Sequence, residues 1–116
     1  MNIALVILTT LLGLATAFSA VGKFTMNPKA AEMLRHLGLT DSQIRGLGAI
    51  EVAGALGLLI GTWIPILGLL AAIGFVLYFL GALIMHVRSK DPAKDMAPAL
   101  ILLVLSIIVT ILQFAR

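Results

Sequence analysis

The stretch "GAIEVAGALGLLIG", Gly48 to Gly61, sets a single carboxylate, Glu51, in a run made otherwise of Gly, Ala, Val, Leu and Ile. Whether this is the core helix of a soluble domain or a span through lipid decides the fold, and composition answers first. Of the 116 residues 61% are hydrophobic and only 11% are charged, with a mean hydropathy of +1.16. Soluble domains carry about 45–50% apolar and about 25% charged residues. The chain lacks the polar surface to stay in water and reads as an integral membrane protein.

Working outward from Glu51, four apolar segments are long enough to cross a hydrocarbon core of about 30 Å, which takes roughly 20 helical residues. They lie at about 3–22, 42–62, 65–87 and 96–115. Short strand-length pieces of alternating hydrophobicity are missing, so a β-barrel is not expected. The run "LVILTTLLGLATAFSA" ends in an A-x-A-like site. No basic residue precedes it and it is longer than a signal-peptide core, so it is expected to be the first membrane helix. The fold class is therefore all-α, a four-helix membrane bundle, and residues 1–116 form one transmembrane domain.

The polar connections punctuate this plan. Asn27 and Pro28 suit the start of a short helix over about 28–37, and Gly38 suits its stop. Met33, Leu34 and Leu37 share one side of it, so it is expected to lie along the membrane surface as an amphipathic piece. Thr40 or Asp41 caps the next span. In "GTWIP", Trp63 stands where an interfacial anchor belongs, and Pro98 falls early in the last helix, where it costs little.

Charge sets the orientation. Lys23, Lys29, Arg35 and Arg45 lie between the first two spans, and Arg88, Lys90 and Lys94 between the last two, against Arg116 alone at the other end. The positive-inside rule places both loops in the cytoplasm and both termini outside, in a cell inner membrane. The basic pI of about 9.8 is thus explained by lipid, and no nucleic-acid partner is needed. Without cysteine there is no disulfide or thiolate chemistry.

Glu51 then falls inside the hydrocarbon, nearer the basic face. Lys23 closes the first span and His86 the third on that side, so three ionisable groups are expected to share one layer. A carboxylate at such depth is costly unless paired, and faces the bundle interior. Lys23 is its natural counter-ion and His86 an alternative partner. Thr16 and Ser19 precede Lys23 on one face, and Tyr78 and Ala82 precede His86, which sketches a pocket open to the basic side. The competing reading makes Lys23–Glu51 a lock between helices and His86 a headgroup residue. His36 is expected at the surface.

Small residues tell a second story. Ala49, Ala53, Gly57 and Gly61 recur every four positions, a stripe over which another helix can approach closely, within the bundle or in a homodimer. Gly48, Gly54 and Ala55 make the Glu51 side small too, and Gly74 and Gly81 add to the third span. The sequence holds no H-E-x-x-H, no paired membrane carboxylates, no Cys/His metal set and no phosphate loop. With two histidines at different depths, a bis-histidine haem is not expected.

The motifs "FSAVGKF", "LGLT", "GAIEVAGALGLLIG", "IPILGLLAA" and "FLGALIMHVRSKD", in that order, resemble the DoxX-like family of small four-helix membrane proteins. The family is named after a subunit of a thiosulfate:quinone oxidoreductase. Other members are associated with membrane oxidoreductase or thiol-stress complexes, and distant relatives are membrane-protein assembly factors. The resemblance carries Gly22, Lys23, Glu51, Gly54, His86 and Arg88 over as candidate positions. It implies an accessory subunit that binds a quinone or similar amphipathic molecule and supports a redox partner protein. Lys23 and His86 would bond its oxygen, and Glu51 would orient Lys23 or relay a proton. Two other classes stay open: a small proton-coupled transporter or channel working as an oligomer, and an assembly factor or scaffold docking through the Ala49–Gly61 stripe.

Overall fold

The computed structural model describes residues 3–115; Arg116, the lone base expected at the opposite end, lies outside them. Five helices follow in order: α1 Ile3–Phe24, α2 Pro28–His36, α3 Asp41–Ile60, α4 Pro65–Arg88 and α5 Ala93–Ala115. All except α2 are long and apolar enough to cross a membrane.

Local chemistry sets the ends. Thr40 caps α3: its hydroxyl accepts from the Gln43 amide while the Gln43 side chain accepts from the Thr40 amide, a capping box. Asn27 Oδ1 accepts from the Lys29 amide at the head of α2. Helices α1, α2 and α4 all stop in one way. The chain turns left-handed at Met26 (φ 54°), Gly38 (φ 93°) and Lys90 (φ 57°). The next amide then returns to a carbonyl five residues back, as Asn27 to Gly22, Leu39 to Leu34 and Asp91 to His86. These are Schellman stops, two of them made without glycine.

One boundary departs from expectation. Helix α5 begins at Ala93 rather than 96, so Pro98 is its sixth residue and inside the helix. Its missing N–H leaves the Lys94 carbonyl without a helical donor. Helix α3 begins at Asp41, which puts Glu51 ten residues in, about 15 Å along the axis. That is the middle of the helix.

The four long helices form a ring, α1 against α3, α3 against α4, α4 against α5, and α5 back against α1. Neighbours run antiparallel; short turns join α3 to α4 and α4 to α5, while α2 bridges α1 and α3. Buried positions step by three and four: Ile44, Gly48, Glu51, Ala55 and Leu58 on α3, and Leu5, Thr9, Leu12, Thr16 and Ala20 on α1. That is the 3.5-residue period of a left-handed bundle. Leu12, Leu58, Ala72, Phe75, Phe79, Leu103 and Val109 make the core. Outward stand large apolar side chains, among them Phe18, Leu77, Ile101 and Phe114, a surface suited to lipid rather than water. Trp63 is exposed in the α3–α4 turn.

The α3–α4 pair opens like a wedge. At the hairpin a Cβ on Gly61 would strike the Gly68 backbone. One turn on, a Cβ on Gly57 would meet the Ala71 methyl at 3.0 Å, and next Gly54 faces the Phe75 ring, whose Cζ lies 2.5 Å from where a Cβ would be. The side chains filling the seam thus grow from hydrogen to methyl to phenyl. Beyond Phe75 the helices stand apart and enclose a cavity.

Candidate functional site

This cavity has a volume of about 790 Å³ and lies at the basic end of the bundle. Four elements wall it: α1 with Phe18, Ser19 and Lys23, α3 with Leu47 and Glu51, α4 with Tyr78, Ala82 and His86, and α5 with Pro98, Ala99 and Leu102. Helix α2 lays Met33 and Leu34 over it, followed by Leu37. The expected amphipathic helix thus turns its apolar side onto the cavity. Phe18 and Leu77 line the cavity and are also strongly exposed, so its rim reaches the lipid-facing surface.

At the inner end Lys23 Nζ lies 2.6 Å from Glu51 Oε1. Ser19 joins them: its hydroxyl donates to Glu51 Oε1 at 3.2 Å and accepts from Lys23 Nζ at 2.6 Å. Glu51 is fully buried. A Cβ on Gly48 would lie 3.2 Å from the Lys23 Cβ, so Lys23 starts about one turn nearer the basic end than Glu51 and reaches inward to it. Lysines at helix ends ordinarily snorkel toward water, and this one runs the other way. Glycine at 48 lets α1 come close enough for that. The Tyr78 hydroxyl approaches the same carboxylate. It closes no hydrogen bond to Glu51 Oε2, which is buried with no donor.

His86 does not join this layer. Tyr78 marks the level of Glu51 on α4, and His86 is eight residues, about 12 Å, further toward the basic end. Its Nδ1 bonds Asp91 Oδ2 at 2.7 Å, and the other oxygen of Asp91 meets His36 Nε2 at 3.1 Å. The His86 bond, with help from His36, holds the Asp91 carboxyl below the usual range against some desolvation. His36 is exposed, as expected, but its ring ties α2 to the α4–α5 loop. Sequence reading passed over Asp91. The Schellman stop after His86 is the signal that folds a residue five positions on back over the histidine, and Lys90 gives no glycine to reveal it. Arg88 is exposed and Gly22 supplies the carbonyl that ends α1.

The small-residue stripe divides. Gly57 and Gly61 are buried against α4, while Ala49 and Ala53 face outward. Gly54 is spent on Phe75. In the far half, Thr9, Thr16, Ser106 and Gln113 point inward. The Thr16 and Ser106 hydroxyls donate to Leu12 and Leu102 carbonyls of their own helices. Gly68 leaves room for Gln113, whose Nε2 would lie 2.8 Å from a Cβ there. Polarity beyond Glu51 is therefore largely turned inward on the helices, and the cavity has its polar end at Lys23–Glu51. Among the described residues no group of three or more His, Asp or Glu is placed to hold a metal ion.

Residues 7–109 match the profile of the DoxX-like family. No curated protein and no solved structure matches the chain.

Proposed function

We propose, for a chain that belongs to the DoxX-like family and is a multi-pass membrane protein, that it binds an amphipathic small molecule of the quinone class as an accessory subunit. One observation carries this reading: an apolar cavity of about 790 Å³, reaching the lipid-facing surface, ends on a Lys23–Glu51–Ser19 cluster. Ligand pockets of about 300–1,000 Å³ with apolar walls and a few convergent polar groups are the usual form of small-molecule sites. An intramembrane carboxylate retained at such cost is a functional position by default.

The parts divide the work. Leu47, Leu102 and the α2 face cover the tail and ring. Lys23 offers the head a hydrogen bond, and Ser19 and Glu51 hold the Lys23 amine inward. His86 and Asp91 stand at the outer end, where His36 fastens α2 across the opening. Electron transfer falls to a partner membrane protein, with the ligand held between them. The basic loops and this opening face the cytoplasm, as the charge distribution directs.

The test is native mass spectrometry with lipid and quinone extraction on gently purified protein, comparing wild type with Glu51→Gln and Lys23→Ala. A quinone or another defined amphipathic molecule is expected with wild type and lost from both variants. Bulk lipid alone in all three, with only thermal stability changed, would make Lys23–Glu51 a structural lock.

A further inference from the structure

The two oxygens of the Glu51 carboxylate are used unequally. Oε1 takes both Lys23 and Ser19, while Oε2, on a fully buried side chain that lines the cavity, takes no protein donor. An ionised carboxylate has about four acceptor positions, and an ammonium has three protons to give. Lys23 spends two of its three on Ser19 and Glu51. The inner end of the cavity therefore holds one unmet acceptor, closed off in this conformation, and one spare donor beside it. Leaving a buried acceptor unpaired costs about 1–3 kcal/mol, more for a charged group, so a head that fills both needs is favoured.

A hydroxyl does this with one oxygen, donating to Oε2 and accepting from Lys23. A ketone oxygen only accepts: it satisfies Lys23 and leaves Oε2 bare with a second lone pair beside it. An ammonium could donate to Oε2 but would meet the Lys23 charge. In the conformation described Oε2 is closed to water. The terminal torsion of glutamate is soft, so a partial turn of the carboxylate, short of the half-turn that only exchanges its two oxygens, brings Oε2 toward the cavity.

Resting on the ligand reading above, we propose that the site selects the hydroxyl-bearing form of its ligand, a quinol over the corresponding quinone, through Glu51 Oε2. Retaining the reduced form makes this subunit a holder of the product of quinone reduction, or of the substrate for quinol oxidation, by its partner.

The experiment compares decylubiquinol and decylubiquinone, identical in tail, for binding to the purified full chain in nanodiscs under anaerobic conditions. The quinol is expected to bind about tenfold tighter or more, the scale of one hydrogen bond to a charged acceptor. In Glu51→Gln, whose amide adds a donor, both forms bind too weakly to survive purification but are still measurable by titration, and there the preference vanishes or reverses. In Tyr78→Phe the ratio between the two forms persists. A second readout needs no variant: selective binding of the reduced form raises the midpoint potential of the bound couple by about 30 mV per tenfold, the two-electron constant. Equal binding, or tighter binding of the quinone by wild type, overturns the selection while leaving the ligand reading intact. A preference lost in Tyr78→Phe but kept in Glu51→Gln overturns the assignment to Glu51. Binding of neither form overturns the ligand reading itself.

Discussion

Removing Lys23 should harm the protein far more than removing Glu51, although the two form one ion pair. In Lys23→Met the Glu51 carboxylate keeps its place with no counter-charge, and its side chain is only 1% exposed. Breaking a buried pair in this way costs about 3–5 kcal/mol. In Glu51→Gln the Lys23 amine loses its partner but not its escape. It sits one residue from the end of α1 and is 12% exposed, so it can swing outward to the interface, and the loss should be about 1 kcal/mol. The double variant removes both charges and should resemble Glu51→Gln. For a chain of this length about 1 kcal/mol corresponds to roughly 4 °C in midpoint. Lys23→Met should then fall by roughly 12–20 °C and the double variant by under about 8 °C, a coupling of about 2 kcal/mol or more in a double-mutant cycle. The assay is thermal unfolding in a single detergent, followed by circular dichroism. Equal losses in the two single variants, or a double variant that sums them, would refute the view that burial of an unpaired carboxylate sets the cost.

Gly61→Leu should splay the hairpin against the Gly68 backbone and cost about 3 kcal/mol or more, whereas Ala53→Leu, on an outward face, should stay within about 0.5 kcal/mol; the same unfolding assay separates them. Lys90→Gly should stabilise the chain by about 0.5–1 kcal/mol, because relief of a left-handed non-glycine residue outweighs the added freedom of the unfolded chain. His36→Ala should raise hydrogen exchange across α2 while leaving α3 and α4 protected, since it cuts the tie to Asp91. With the Asp91 carboxyl held below its ordinary value, the tie is at full strength above the unfolded carboxylate range, about pH 4, and fails only as acid protonates Asp91 below that. Exchange of α2 in wild type should therefore be flat from neutral pH to about 5, after correction for intrinsic rates, and rise under about 4. A rise that begins well above pH 5 would refute the assignment to Asp91.

The spans were legible because lipid imposes one rule on every residue they contain, and sequence runs of about 20 apolar residues record it directly. Pairing of Lys23 with Glu51 was legible for a related reason: a charge at that depth has few ways to survive. His86 misled because lying on the same side of the membrane does not set two groups at one depth. Glu51 falls in the middle of α3, and His86, two residues before the end of α4, stays with the loop. Asp91 was hidden in a polar loop whose shape depends on a left-handed Lys90. The Ala49–Gly61 stripe divided because a spacing of four drifts across a 3.5-residue period, so its two ends fall on different faces. The polar wall of the cavity was sketched by Ser19, Lys23, Glu51, Tyr78, Ala82 and His86, but its size was not, since that arises from the graded sizes of Gly68, Ala71 and Phe75 against three glycines on another helix.

That gradation makes the hairpin a fulcrum. From Gly68 to His86 is eighteen residues, about 27 Å of helix, so a tilt of only about 3° at the Gly61–Gly68 contact moves the far end of α4 by roughly 1.4 Å over that length. A methyl group added at the narrow end would widen the mouth by more than it displaces locally. On the proposed ligand reading, the girth of ligand admitted is governed from the opposite end of the bundle, and exchanges between glycine and alanine at 57, 61 or 68 would retune it without touching a single residue of the polar cluster.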